Sequence, residues 1–131
     1  MTSVEPANVA PATVDALRRH WDDGWNRGDV DTIMEPFAND VVFSSPYIPV
    51  VGGDPDRTTI VGRDALRTYV AGALVRSPGI RYTVDATYVG TDSVVLVYRC
   101  HYPDGRPDLA GVDSMRVDAQ GLIVEWRCHY A

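Results

Sequence analysis

The sequence predicts an α+β domain in which helices come first and an antiparallel sheet follows. Apolar residues recur at helical spacing as far as Ser77, whereas beyond Pro78-Gly79 the chain divides into alternating segments separated by turn residues. Helices followed by a run of strands are typical of this class. The 131 residues are enough for one domain, and their 45% apolar and 23% charged content is that of a globular protein. We expect a flexible arm over residues 1–12 and a single domain over residues 13–131.

Three helices are predicted before Pro78. The first starts at Thr13, a suitable N-cap, and ends at Gly28, a suitable residue for a helix C-terminus. Its apolar residues form one stripe: Val14, Leu17, Trp21 and Trp25. The second helix is capped by Asp29 and ends near Pro36. The third helix has its own apolar face, with Leu66, Tyr69, Val70, Ala73 and Leu74, and it stops before Pro78.

The predicted strands lie on both sides of the third helix. Val41-Val42-Phe43 reads as a strand that runs into a long loop rich in proline and glycine. Four more strands are expected at about residues 80–89, 94–102, 112–118 and 122–130. Successive side chains of a strand point to opposite faces. Asp113 and Met115 therefore share the face that carries the apolar residues of the neighbouring strands.

Composition and motifs exclude several classes of function. The net charge of −6 and the pI near 4.8 disfavour a nucleic-acid binder. No apolar run approaches the roughly 20 residues of a membrane span, and the first residues do not resemble an export signal, so we expect a cytoplasmic protein that binds no membrane. Phosphate-loop and dinucleotide motifs are absent, and no cofactor is expected.

The cysteines predict neither a metal site nor a disulfide. Cys100-His101 and Cys128-His129 look like ligand pairs, but adjacent residues of a strand point to opposite faces and cannot converge on one ion. Cys100 and Cys128 lie on strands that the strand of Asp113 separates, about 9–10 Å apart, whereas a disulfide needs Cα atoms within about 7 Å. We expect two free thiols.

Four stretches of the chain resemble the SnoaL-like and ketosteroid isomerase-like proteins of the nuclear transport factor 2-like superfamily. They are residues 21–31 (Trp-Asp-Asp-Gly-Trp-Asn-Arg-Gly-Asp-Val-Asp), 37–46, 112–118 and 121–127. The resemblance implies a cone-shaped fold, in which a curved antiparallel sheet wraps around three N-terminal helices and leaves a deep pocket, commonly within a homodimer. The superfamily includes isomerases, cyclases, epoxide hydrolases, dehydratases and non-enzymatic binding domains, so the resemblance alone does not specify a reaction.

Asp113 is the candidate catalytic residue. Burial beside Met115, Trp126 and tyrosines raises the pKa of a carboxyl group, which can then act as acid, base or hydrogen-bond donor. The resemblance implies the same, because in ketosteroid isomerases an aspartic acid of the matching strand donates to an oxyanion. The alternative is a buried acid whose hydrogen bonds are satisfied by tyrosine hydroxyls and which has no catalytic role.

Other positions depart from the isomerase pattern. Ser45, before Pro46, occupies the position of the family's general-base aspartate, and Trp21 occupies that of the oxyanion tyrosine. A serine cannot replace a carboxylate base at neutral pH, and an indole donates only through its N–H. Classical steroid isomerisation is therefore not expected. The epoxide hydrolase pattern is also incomplete, because the second carboxylate is missing.

Two functions remain open. The first is isomerase, cyclase or lyase chemistry on a small apolar molecule that bears a carbonyl group. The second is a non-catalytic ligand-binding or dimerisation domain. Eight residues are expected to bind the small molecule: Trp21, Ser45, Tyr47, Tyr98, Tyr102, Met115, Trp126 and Tyr130. Tyr47 and Ile48 lie in the loop after the first strand, where they could form a lid.

The opposite face of the predicted sheet carries five basic residues. Arg99, His101, Arg116, Arg127 and His129 all point away from the apolar side. In proteins of the superfamily a second subunit commonly covers this face of the sheet, and we therefore expect a homodimer.

Overall fold

A computed structural model describes residues Asn8–Ala131 as four α-helices and a six-stranded sheet. The helices are α1 (Pro11–Arg19), α2 (Val30–Met34), α3 (Ile48–Gly52) and α4 (Arg63–Arg76). The strands are β1 (Phe37–Ser44), β2 (Thr59–Val61), β3 (Arg81–Val89), β4 (Ser93–His101), β5 (Leu109–Val117) and β6 (Ile123–Tyr130). The expected α+β class is confirmed.

The sheet is curved and unclosed, with the strand order β2-β1-β6-β5-β4-β3. Four strand pairs are antiparallel, as expected, but β1 lies parallel to β6, with Phe43 opposite Trp126. β2 was not expected either, because it lies in the segment that the sequence assigns to the loop. β1 is therefore an interior strand, between β2 and β6.

Three strand pairs of the sheet contain a register shift. The shifts lie between Phe37 and Val42 where β1 pairs with β6, between Val84 and Ala86 where β3 pairs with β4, and between Arg116 and Val117 where β5 pairs with β6. An extra residue in one strand increases the local twist and bend. The shift between β5 and β6 also explains why Ile123 is fully buried, although strict alternation along β6 would bury Val124 instead.

The helical layer begins earlier than expected. α1 starts at Pro11, two residues before Thr13, and Thr13 does not cap it. Its hydroxyl donates instead to the carbonyl of Gly121, at 3.1 Å. Val9 is buried, and its N–H donates to the carbonyl of Gly90. Val9 of the expected arm therefore packs on the domain and residues 11–12 belong to α1, whereas Asn8 is exposed and residues 1–7 lie outside the described residues.

The first helix does not continue regularly to Gly28. After α1 the chain forms a π-helical turn, His20–Gly24, and a 3₁₀ turn, Trp25–Arg27. Trp21 and Trp25 are nevertheless both buried. A Cβ atom at Gly24 would lie 2.7 Å from a side-chain carbon of Ile33 in α2, so this close packing requires glycine.

The core lies between the helices and the concave face of the sheet. Its largest buried side chains include Trp21, Trp126, Tyr98, Phe43, Leu17 and Ile33. Among the described residues, none of the helices has both the length and the apolar character that a membrane span requires.

Candidate functional site

The concave face of the sheet and the helices enclose a cavity of about 180 Å³. Its inner wall is aromatic, with Trp21, Trp25, Phe43, Tyr82 and Trp126. The mouth is formed by residues that are partly or fully exposed, among them Tyr47, Val50, Arg76, Tyr102 and Arg106. The cavity is therefore apolar inside and charged at its entrance.

Five of the nine predicted site residues line this cavity, and four do not. The lining residues are Trp21, Tyr47, Tyr102, Trp126 and Tyr130. The other four, Ser45, Tyr98, Met115 and Asp113, are buried away from it. Asp113 itself has no exposed surface and lies behind the wall of the cavity.

Asp113 accepts hydrogen bonds from two neighbouring strands. The Tyr98 hydroxyl of β4 donates to Oδ1 at 2.9 Å, and the Trp126 indole N–H of β6 donates to Oδ2 at 2.9 Å. The Cys128 thiol of β6 is a third donor. Strand register explains why these side chains converge on Asp113. Asp113 lies directly opposite Cys128 of β6, and Tyr98 of β4 and Trp126 of β6 are its diagonal neighbours on the two adjacent strands.

Burial controls the protonation of this carboxyl group. Desolvation raises the pKa of Asp113 to about 6, and the hydrogen bonds from Trp126, Cys128 and Tyr98 oppose the rise because they stabilise the charged form. In this arrangement the carboxyl group receives hydrogen bonds as an anion, and the Tyr98 hydroxyl can accept one from it when it is protonated. Its pKa allows both protonation states close to neutral pH.

Two tyrosines lie between Asp113 and the cavity. The Tyr98 hydroxyl donates to Asp113, and the Tyr98 and Tyr130 rings pack edge to face with their centroids 6.4 Å apart. Tyr130 lines the cavity, whereas Tyr98 does not. The buried carboxyl group is therefore separated from the cavity by two phenols.

Ser45 has a structural role instead of the expected contact with ligand. It is buried, and its hydroxyl oxygen accepts from the backbone N–H of Tyr47 at 3.2 Å. Its backbone carbonyl accepts from Ile48, where α3 begins. The segment around Tyr47 and Ile48 is thus a short helix that forms one side of the mouth, whereas the sequence predicts a loop there.

Trp21 has an unsatisfied hydrogen-bond donor. Its indole N–H is buried and has no partner among the residues that the structure describes. The ring lies between Tyr82 and Tyr98, with ring centroids 4.7 and 4.8 Å away, and borders the cavity. An unpaired buried N–H costs about 1–3 kcal/mol.

His20 is an important buried residue that the sequence interpretation does not include. Its Nδ1–H donates to the carbonyl of Ile33 at 2.7 Å, and its Nε2 accepts from the indole N–H of Trp25 at 3.0 Å. Burial lowers the pKa of His20 to about 4, which keeps the ring neutral. Its position three residues after Leu17, on the apolar stripe of a helix, is the signal that could have identified it.

The described residues offer little for a metal ion or cofactor. Asn8–Ala131 contain no cluster of three His, Cys, Asp or Glu side chains suited to a metal. Cys100 and Cys128 both border the cavity and are free. Burial raises the pKa of Cys100 to about 12 and that of Cys128 as well, so both are thiols and not thiolates at neutral pH.

Comparison with known proteins supports the fold at full length. The chain resembles a SnoaL-like protein from Burkholderia thailandensis, with a TM-score of 0.78 and 28% identity over 97% of this chain and 99% of the other. It resembles an NTF2-like protein from Mesorhizobium loti, with a TM-score of 0.73, 25% identity and 99% of both chains covered. No curated protein matches.

A third similar structure is SalBIII, an epoxide hydrolase/cyclase-like enzyme of pyran ring formation in the polyether salinomycin. The TM-score is 0.68 and the identity 18%, over 92% of this chain and 91% of the other, a likeness in fold. The model of the SnoaL-like domain matches residues 17–126, which include the inner wall of the cavity and Asp113. The chain belongs to the SnoaL-like family of the NTF2-like superfamily.

Proposed function

We propose that the cavity binds a small, largely apolar molecule with a carbonyl group and that the chain Tyr130–Tyr98–Asp113 transfers a proton to or from it. Such proton transfer is the common step of isomerase, cyclase and lyase chemistry on carbonyl compounds. The observation that carries the proposal is the hydrogen bond from Tyr98 to a sealed carboxyl group, with Tyr130 of the cavity wall packed against the same phenol. In this scheme Tyr130 touches the substrate, and Asp113 acts through Tyr98.

The ionised form of Asp113 is the basic state. The hydroxyl protons of Tyr130 and Tyr98 then point toward the carboxylate, and the Tyr130 oxygen presents a lone pair to the cavity. A proton leaving the carbon beside the substrate carbonyl is taken up by the Tyr130 oxygen. Each phenol passes its own proton inward, and one proton arrives on Asp113.

The protonated form of Asp113 is the acidic state, and the chain is then reversed. Asp113 donates to Tyr98, Tyr98 donates to Tyr130, and Tyr130 donates into the cavity. Because a hydroxyl group both donates and accepts, the reversal needs no movement of heavy atoms. A pKa of about 6 lets one residue serve both directions near neutral pH.

Trp21 supports the same substrate class. Its unpaired N–H is suited to a carbonyl oxygen, which becomes more negative when the adjacent carbon loses a proton. The residue borders the same cavity as Tyr130. We propose that Trp21 stabilises this oxygen while Tyr130 exchanges the proton.

Proton exchange in D₂O tests the proposal without a known substrate. α-Tetralone, a bicyclic aromatic ketone, loses the NMR signal of the protons beside its carbonyl when they exchange. We expect the protein to accelerate this loss, and the rate to rise as Asp113 ionises around pH 6. Asp113→Asn and Tyr130→Phe should each reduce the acceleration about 100-fold or more. Tyr88→Phe is the matched control, because Tyr88 is 64% exposed and does not line the cavity.

A non-catalytic binding domain is the second candidate. It is favoured by the absence of any Asp, Glu or His among the cavity-lining residues of Asn8–Ala131. Binding of α-tetralone with no exchange above the buffer rate would support this function and overturn proton transfer.

A further inference from the structure

Two arginines stand at the mouth of the cavity. Arg76 lies at the end of α4, and Arg106 lies in the turn between β4 and β5. Both line the main cavity, and both also line an adjoining groove of about 320 Å³ together with Ser77 and Tyr102. The two arginines therefore border the passage between the groove and the apolar interior.

Contacts with Tyr102 and Asp104 hold Arg106 in place. Its guanidinium carbon lies 4.0 Å from the centre of the Tyr102 ring, and its Nε lies 2.8 Å from an oxygen of Asp104. These contacts use the face and the Nε edge of the guanidinium group. The two Nη atoms have no hydrogen-bond partner among the described residues, and an arginine carries five N–H donors in all. Arg106 can therefore bind an anion without leaving Asp104.

The charge at the mouth has the opposite sign to that of the whole chain. Arg76 forms no ion pair within Asn8–Ala131, and Asp104 is the acidic residue that borders the groove. Two positive charges and one negative charge leave a net charge of +1 at the entrance of a chain whose net charge is −6. A local field of this kind attracts an anionic ligand although the protein as a whole repels it.

We propose that the ligand of this cavity is an amphipathic acid, with an apolar ring system inside and a carboxylate between Arg76 and Arg106 at the mouth. This inference rests on the proposed function insofar as the cavity must bind a small molecule. Guanidinium groups bind carboxylates by paired, charge-assisted hydrogen bonds. The apolar inner wall of Trp21, Phe43 and Trp126 excludes the charge from the interior, which fixes the direction in which the molecule enters.

The test compares two probes that differ only in the charged end. β-Naphthoate carries a carboxylate, and β-naphthamide has the same ring with a neutral amide. Isothermal titration calorimetry at neutral pH and low salt should give binding of both, with the acid about tenfold tighter. The preference should shrink at high salt, because these arginines are exposed and screening weakens exposed charge pairs.

Three variants define the site. Arg76→Gln with Arg106→Gln in one chain should bring the two affinities within about twofold of each other, chiefly by weakening the acid. Arg18→Gln is the control, since Arg18 is exposed on α1 and lines neither the cavity nor the groove. Ala73→Phe should weaken both probes by filling the cavity, and a thermal melt checks that this variant folds.

The outcomes separate the two proposals. Equal affinity of the native chain for acid and amide overturns the anionic ligand and leaves the proposed function intact. An acid preference that survives the double arginine substitution also overturns it, because the anion then binds elsewhere. Binding of neither probe overturns the apolar-ligand cavity, and the inference that rests on it.

Discussion

Gly111 lies directly opposite Tyr98 on the neighbouring strand, and the tyrosine ring covers the space that a side chain would occupy. A Cβ atom at this glycine would lie 2.6–2.7 Å from three atoms of the Tyr98 side chain, including the hydroxyl oxygen. Gly111 also lies opposite Tyr130 on the other side. The missing side chain therefore lets the Tyr98 and Tyr130 rings approach each other across β5, with their centroids 6.4 Å apart.

Gly111→Ala should disrupt this arrangement. The added methyl group displaces the Tyr98 ring, lengthens its hydrogen bond to Asp113 and lowers the free energy of unfolding by about 1–3 kcal/mol. Urea unfolding measures the change. Gly52→Ala is the matched control, because nothing lies within 4 Å of its Cβ position, and it should be neutral or slightly stabilising. Equal stability of the two variants would contradict the close packing at Gly111.

The thiols should be free and slow to react. Cys100 and Cys128 are both buried, and burial raises both pKa values, that of Cys100 to about 12. A thiol reagent added without reductant should therefore modify the native protein slowly and modify two thiols after denaturation. A single disulfide in the denatured chain would contradict the strand order, in which β5 lies between the two cysteines.

The homodimer remains a prediction about the outer face of the sheet. Several of its basic residues form ion pairs within the chain, such as Arg99 with Asp85 at 2.9 Å and Arg127 with Glu125 at 2.8 Å. We expect sedimentation equilibrium to show a dimer at micromolar concentrations, and Glu125→Lys to weaken it by leaving Arg127 and Arg116 unpaired. A monomer, or a dimer that this substitution leaves unchanged, would contradict the prediction.

Local periodicity predicts most of the sheet. The bounds of β3, β4 and β6 differ from those expected by one residue, and β5 begins three residues earlier. Alternation and turn residues involve neighbouring positions of the chain, so they can be recognised in a single sequence. The same alternation correctly predicts that Asp113 and Met115 lie on the same face of β5, since both are buried.

Local sequence patterns do not predict how deeply a side chain is buried or which distant segments of the chain pair. Alternation assigns Asp113 to the concave face, but whether it touches the cavity depends on Tyr98 and Trp126, which cover it from two other strands. The parallel pairing of β1 with β6 joins segments about 80 residues apart. The π-helical turn at His20 depends on packing against α2 and β6, and a regular helical stripe does not predict it.

His20 should contribute to stability through its two hydrogen bonds. His20→Phe leaves the Trp25 N–H and the Ile33 carbonyl without their partner and should lower the free energy of unfolding by about 2–4 kcal/mol. A double-mutant cycle with Trp25→Phe should give a coupling energy of about 0.5–1.5 kcal/mol. His129→Phe, on the exposed face of β6, is the control and should change stability by less than about 0.5 kcal/mol. Zero coupling would contradict the bond between the two rings.

Asp113 and His20 should have opposite effects on stability as the pH changes. The pKa of Asp113 rises from 3.8 to about 6 on folding, so between these values the folded chain holds a proton that the unfolded chain has lost, and stability falls as the pH rises. The pKa of His20 falls from 6.5 to about 4, so the unfolded chain holds the extra proton, and stability rises with pH. Each shift corresponds to about 3 kcal/mol.

The two effects oppose each other in the native chain between pH 4 and 6, and Asp113→Asn removes the contribution of Asp113. Urea unfolding across this range should then show the variant gaining stability relative to the native chain, by up to about 3 kcal/mol toward the upper end. The exposed carboxyl groups titrate in both proteins and drop out of the difference. A constant difference across the range would mean that folding does not raise the pKa of Asp113, and a difference of opposite sign would mean that its hydrogen bonds outweigh its burial.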